Sequence, residues 1–246
     1  MIQDLHSHTY YSFCGADTPE QVVETAIAGG IELLGITDHN YGIGYGRTDV
    51  FTSTSPDITD DYQRTLRRYY DHINLIKEKY SGDIRILRGI EIATIKQGRI
   101  PLPENVDISF FDYCLIEHLD GDSITCGDLF SFAERCGCRV GVAHTDLFAH
   151  VSRLGEEPLD YFRKMAEKDI FWEMNVNLDT IHGGREHFYM LEFFRNKEQQ
   201  DIIRESGVRL SVGFDGHRVY DYKPRRIKEY CEKISDMGIK LAFEDE

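Results

Sequence analysis

Apolar runs and amphipathic stretches alternate along the whole chain. Seven runs read as buried parallel strands: 2–6, 32–37, 84–91, 113–117, 139–143, 171–175 and 209–213. Between them lie patterns of helical period. The clearest helix start has Thr18 as N-cap, Pro19 at the first helical position and Gln21 completing a capping box, with Gly29-Gly30 as the stop. A long helix is expected over 60–80, and others near 126–136, 158–167, 197–205 and 224–237. Strand followed by helix, repeated about seven times, is the pattern of a (β/α) barrel or of a doubly wound sheet. Two long connections interrupt it: 40–59, rich in Gly, Tyr, Ser and Thr, and 176–188, which contains Gly183-Gly184-Arg185. Connections of that length in a compact domain are usually lids or binding loops.

Composition narrows the picture. With 246 residues, 41% hydrophobic and 29% charged, the chain suits one soluble domain over 1–246. No run approaches the roughly 20 apolar residues of a membrane span, and the start, Met1 to His6, lacks the layout of a signal peptide, so a cytoplasmic protein is expected. The six cysteines read as reduced thiols, and the one regular spacing, Cys136-Gly-Cys138, has no second Cys/His pair nearby to make a metal site. A net charge of −15, with no basic run longer than Lys223-Pro224-Arg225-Arg226, argues against a nucleic-acid surface. A small anionic substrate remains compatible, because bound metal ions set the local field. A monomer is the default expectation.

Histidines and acids collect at the carboxyl ends of the expected strands. The first ends in Asp4-Leu5-His6-Ser7-His8, the second in Thr37-Asp38-His39, the third in Gly89-Ile90-Glu91 and the fourth in Glu117-His118. The fifth ends in Ala143-His144-Thr145-Asp146 and the seventh in Phe214-Asp215-Gly216-His217. Ten histidines in a chain of this length give roughly 0.4 His-x-His pairs by chance, so His6-Ser7-His8 alone is weak evidence. Six strand ends of seven carrying residues suited to zinc, iron or manganese are hard to explain without a shared metal site, and barrel active sites are built at that face.

The series His-x-His, Thr-Asp-His, a lone Glu, a His followed by Leu-Asp-Gly-Asp, Ala-His-x-Asp and Asp-x-His resembles the PHP (polymerase and histidinol phosphatase) superfamily over essentially the full chain. The resemblance implies a distorted, TIM-like (β/α)7 barrel and a centre of two or three divalent metal ions that hydrolyses phosphate esters. His6, His8, Glu91 and Asp215 would hold one ion, and Glu91, His118 and His144 a second. His39 and His217 would hold a third, completed by Asp17, with Cys14 the less favoured substitute. The last motif has Phe214 where the family usually has a small polar residue, which bears on substrate more than on metal.

Two ions sharing a water lower its pKa from 15.7 toward about 7 and supply hydroxide. Glu91, Asp215 and His217 surround that chemistry, and Asp146 would orient His144 or take part in proton transfer. Arg47, Arg153 and Arg185 lie on expected mouth loops and suit phosphate, and His182 and His187 flank Gly183-Gly184-Arg185 within reach of substrate. Tyr10, Tyr41 and Tyr45 are candidates to line the mouth. The expected activity is a phosphomonoesterase on a small phosphorylated metabolite, histidinol phosphate first. A phosphodiesterase or exonuclease, and a non-catalytic metal-binding interaction module, are the alternatives.

Overall fold

The computed structural model describes residues 1–43, 58–94, 101–119 and 121–245. Its strands are β1 (Gln3–Asp4), β2 (Leu33–Ile36), β3 (Arg85–Ile92), β4 (Tyr113–Ile116), β5 (Arg139–Val142), β6 (Phe171–Asn175) and β7 (Leu210–Gly213). They pair in chain order, every pair parallel. The seam between first and last strand is closed by Leu5 N donating to Val212 O at 2.9 Å, Asp215 N to His6 O at 2.7 Å, and a parallel bridge from Ser7 to Gly216. Of the two topologies that alternation left open, the chain therefore adopts the barrel.

The helices are α1 (Pro19–Ala28), α2 (Ile58–Lys79), α3 (Leu129–Cys136), α4 (Leu147–Leu154), α5 (Pro158–Glu167), α6 (Phe188–Phe193), α7 (Lys197–Ser206) and α8 (Pro224–Asp236). The capping box of Thr18 and Gln21 forms as its residues dictate. Helices α4 and α6 were not anticipated. Asp146 caps α4 by accepting from Ala149 N at 2.9 Å, and Gly155, at φ 70°, ends it.

Two apolar layers result. A large one, including Leu34, Ile86, Val142, Phe162 and Trp172, fills the space between strands and helices. A smaller one, Leu5, Leu33, Leu87, Tyr113, Leu115, Ala143, Phe171, Ala242 and Phe243, fills the barrel itself. The C-terminal segment plugs the amino ends of the strands: Ala242 N donates to Leu210 O, Gln3 Nε2 donates to Ala242 O at 2.6 Å, and the Phe243 ring meets Tyr113 and Phe171. Among the described residues, that leaves the carboxyl ends to hold a site.

Tyr113 crosses the barrel and donates its hydroxyl to Leu5 O at 2.6 Å, a backbone acceptor buried with no water to replace the bond. Gly35 makes room for it, since a Cβ there would fall 1.8 Å from the Tyr113 hydroxyl. Gly35→Ala should therefore lower unfolding stability by about 1–3 kcal/mol, read as a lower denaturant midpoint at unchanged slope.

Candidate metal centre

Glu91, at the end of β3, is 1% exposed, and four histidines from three other strand ends converge on its two oxygens. Oε1 lies 3.3 Å from His6 Nε2 and 3.1 Å from His144 Nε2, and Oε2 lies 3.3 Å from His8 Nε2 and 2.9 Å from His39 Nδ1. Asp215 closes the group from β7, its Oδ1 3.0 Å from His8 Nε2 and 3.5 Å from His6 Nε2. The two Nε2 atoms of His6 and His8 face each other at 3.2 Å. Ligand atoms bound tetrahedrally at about 2.0–2.1 Å from one ion stand roughly 3.4 Å apart, which is the spacing found. His39 Nδ1 and Glu91 Oε2, though close, have no hydrogen-bond partner. Buried lone pairs that meet without a hydrogen bond fit a shared cation better than each other.

A second group adjoins the first. Glu117, fully buried, brings Oε1 to 3.1 Å from His39 Nδ1, and His118 Nε2 lies 3.6 Å from Glu117 Oε2. The sulfur of Cys14 lies within 4.8 Å of donor atoms of His8 and His39. The cavity above holds about 350 Å³ and is lined by Phe13, Cys14, His118, Ile181, His182 and His187 among others.

Buried carboxylates behind the histidines fix their orientation. Glu173 on β6 takes His6 Nδ1 at 2.7 Å through Oε1 and accepts His144 N at 2.8 Å through Oε2. Asp179 lies 3.1 Å from His217 Nδ1 and 2.9 Å from His182 Nδ1. Asp38 accepts Thr9 N at 2.7 Å and Ser12 Oγ at 2.7 Å, and Ser12 Oγ in turn reaches His8 Nδ1 at 3.2 Å. Such partners select the tautomer that points the other nitrogen at the metal. His144 (φ 25°) and Asp215 (φ 53°) both adopt left-handed backbone, a strain retained where the surroundings over-determine it.

The structure thus gathers His6, His8, His39, Glu91, His118, His144, Asp215 and His217 at one mouth, with His182 and His187 on its rim. It leaves Asp17 out. That carboxylate accepts Val219 N at 2.8 Å and so holds the loop after β7, while Cys14 stands near donor atoms of His8 and His39. Asp146 accepts Ala149 N and so caps α4. Arg153 sits in the exposed last turn of that same helix, about 10 Å along its axis from the strand end, and does not line the cavity. Arg185 is exposed on its loop and does not line it either. Arg47 and Tyr45 lie outside the described residues. Tyr41 is buried and stacks on His39 at 4.9 Å rather than lining the mouth, and Tyr10 stacks on Tyr11. Phe214 is buried against Tyr222, away from the cavity. Sequence reasoning missed Glu117, Glu173 and Asp179 as members of the site. For Glu117 and Glu173 the signal was present, as single acids inside apolar strand runs.

The protein groups alone hold much of the site charged. Burial opposes the protonation of His6, but Glu91, Glu173 and Asp215 outweigh it and raise its pKa well above the usual histidine value. Burial likewise opposes a charged His217, yet Asp215 and Asp179 push it up to about 10. His8 goes the other way, lowered to about 3 by burial and by neighbouring His39. Glu91 and Asp215 are held well below ordinary carboxylates, chiefly by His6 acting against burial.

A histidine held near pH 10 contributes stability that is complete below its unfolded value of about 6.5 and lost as pH rises through about 10. The chelated protein should accordingly lose stability between pH 7 and 10, and metal loading should release protons and weaken as pH falls. Calorimetric titration in buffers of different ionisation enthalpy reads that release. Glu173→Gln, which leaves the proposed ligands in place but removes the carboxylate behind His6, should weaken metal affinity by about 10–100-fold in a chelator competition.

A probable phosphatase from Acetivibrio thermocellus is 25% identical over 98% of this chain and 90% of its own length. Among solved structures, the histidinol phosphate phosphatase of Lactococcus lactis, complexed with zinc, L-histidinol and phosphate, has the same fold. It superposes with a TM-score of 0.54 at 18% identity, covering 97% of this chain and 95% of that one. A Listeria monocytogenes protein proposed to be a histidinol phosphatase superposes at 0.51 and 18% identity, covering 93% of this chain and 100% of that one. The PHP domain model matches residues 4–245, from the first metal motif past the last, and the chain belongs to the PHP domain family.

Proposed function

We propose that this protein is a metal-dependent phosphomonoesterase acting on a small metabolite, with histidinol phosphate as the leading substrate. The observation that carries the reading is the ring of ligand atoms around Glu91, spaced for metal at the end of the barrel that the C-terminal segment leaves open. In this reading His6, His8, Glu91 and Asp215 hold one ion, Glu91, His118 and His144 a second, and His39 with His217 take part in a third. Zinc, iron and manganese all suit these donors, and zinc accompanies the Lactococcus lactis neighbour. Bound there, divalent ions would neutralise phosphate charge and acidify water for attack.

The protein's own part is positioning. Glu173, Asp179 and Asp38 lock the imidazoles, so little reorganisation is left for the reaction. Among the described residues neither Arg nor Lys lines the cavity, so imidazoles and ions carry the whole task of meeting the phosphate. His118, His182 and His187, all partly exposed, are the side chains placed to touch the ester. A cavity of about 350 Å³ suits a small monoester, and Phe13, Ile181 and His187 offer flat or apolar faces to a ring-bearing leaving group.

Phosphate release from metal-loaded protein should be fastest with histidinol phosphate in a panel that also holds a nucleoside monophosphate and a dinucleotide. His8→Ala and Asp215→Asn should each lower kcat by on the order of a hundredfold or more. Turnover of the dinucleotide above the monoesters would favour a phosphodiesterase. A fully loaded protein that releases phosphate from none of them would overturn the enzymatic reading.

A further inference from the structure

The segment between the first metal motif and α1 folds back on itself. Ser12 N donates to Thr9 O, Gly15 N to Ser12 O, and Tyr10 N to Asp17 O. Gly15 presses so closely on Thr9 that a Cβ there would fall 2.0 Å from the Thr9 carbonyl oxygen. The turn also ties itself to the last strand, with Ala16 N donating to His217 O at 3.0 Å and Asp17 accepting Val219 N. Its effect is to spend Asp17 on the backbone and to deliver Cys14 to the cavity between His39 and His217.

We infer that the Cys14 thiolate, together with His39 and His217, is a ligand of the third metal ion, which makes this a sulfur-containing site rather than the all-nitrogen-and-oxygen site read from the sequence. The inference rests on the metal-centre reading above and goes one step further, to the identity of the donor. Cys14 and His217 line one cavity, and Ala16 N, two residues on from Cys14, donates to His217 O. His39 is 6% exposed and has a nitrogen with no hydrogen-bond partner. Donor atoms of Cys14, His8 and His39 all lie within 4.8 Å of one another, so the sulfur does not stand alone. A thiolate donor favours zinc and its softer relatives over manganese or magnesium at this position.

Cobalt(II) reports on this directly, because sulfur bound to it gives a near-ultraviolet charge-transfer band that nitrogen and oxygen ligands do not. Chelated protein reloaded with cobalt should show the band. Cys14→Ser should lose it together with about one equivalent of cobalt, and Cys14→Asp should regain the cobalt without the band. Cys138→Ser, outside the site, should keep both. On the unaltered protein, zinc loading should slow alkylation of Cys14 by iodoacetamide, followed by peptide mass spectrometry, at least about tenfold. A full cobalt complement with no band, a band that survives Cys14→Ser, or alkylation indifferent to zinc would each overturn the assignment while leaving the metal centre standing. Failure to bind cobalt at all would remove the centre itself, and the assignment with it.

Discussion

Glu91 is an anionic side chain at 1% exposure, and isolating such a carboxylate from water costs several kcal/mol unless positive charge surrounds it. The rest of the molecule supplies that charge from every direction. β1 brings His6 and His8, the end of β2 brings His39, the end of β5 brings His144, and each approaches a Glu91 oxygen within 3.3 Å. No two of these strands are joined by a short loop, so their ends meet only when the barrel is closed. The same demand explains the groups behind the ring: once imidazoles are crowded around Glu91, their outer nitrogens must be satisfied as well, as Glu173 does for His6 and Ser12, held by Asp38, for His8.

The acidic surface and the cationic mouth are consistent with each other. A net charge of −15 is distributed over a chain whose described cavity lining contains imidazoles but no Arg or Lys. On the proposed function, a protein that would meet phosphate through metal ions does not need basic side chains there, and the acids that would bind the ions raise the negative count. Arg153 illustrates the point. As a residue shortly after β5 it looked suited to phosphate, but the helix that Asp146 caps carries it to the exposed far end.

What the sequence made legible was what repeats. Seven apolar runs with acids and histidines at their ends predicted seven parallel strands and eight of the gathered side chains, because strand ends and ligand types are local signals, while the barrel order came from the family resemblance. What it hid was settled by tertiary contact. Asp17 and Cys14 lie three residues apart, and only the fold of the turn on Thr9 decides which faces the cavity. β6 ends in no histidine and was passed over, yet its Glu173 orients two ligands, an effect visible only when β1 and β5 stand beside it. Phe214 looked like a substrate-facing change and turned out to be core, since strand alternation points it outward while Asp215 faces in.

The seam between β1 and β7 has a temporal meaning. His6 and His8 leave the ribosome first among the ligands, and Asp215 and His217 last, yet all four belong to one cluster held by Ser7 against Gly216 and Asp215 against His6. During synthesis, a nascent chain carries exposed, partial binding sites for most of its translation and a complete one only at the end. Ion capture by the finished site is therefore tied to ring closure, and a metal that arrives early has nothing to hold it but the unfolded histidines.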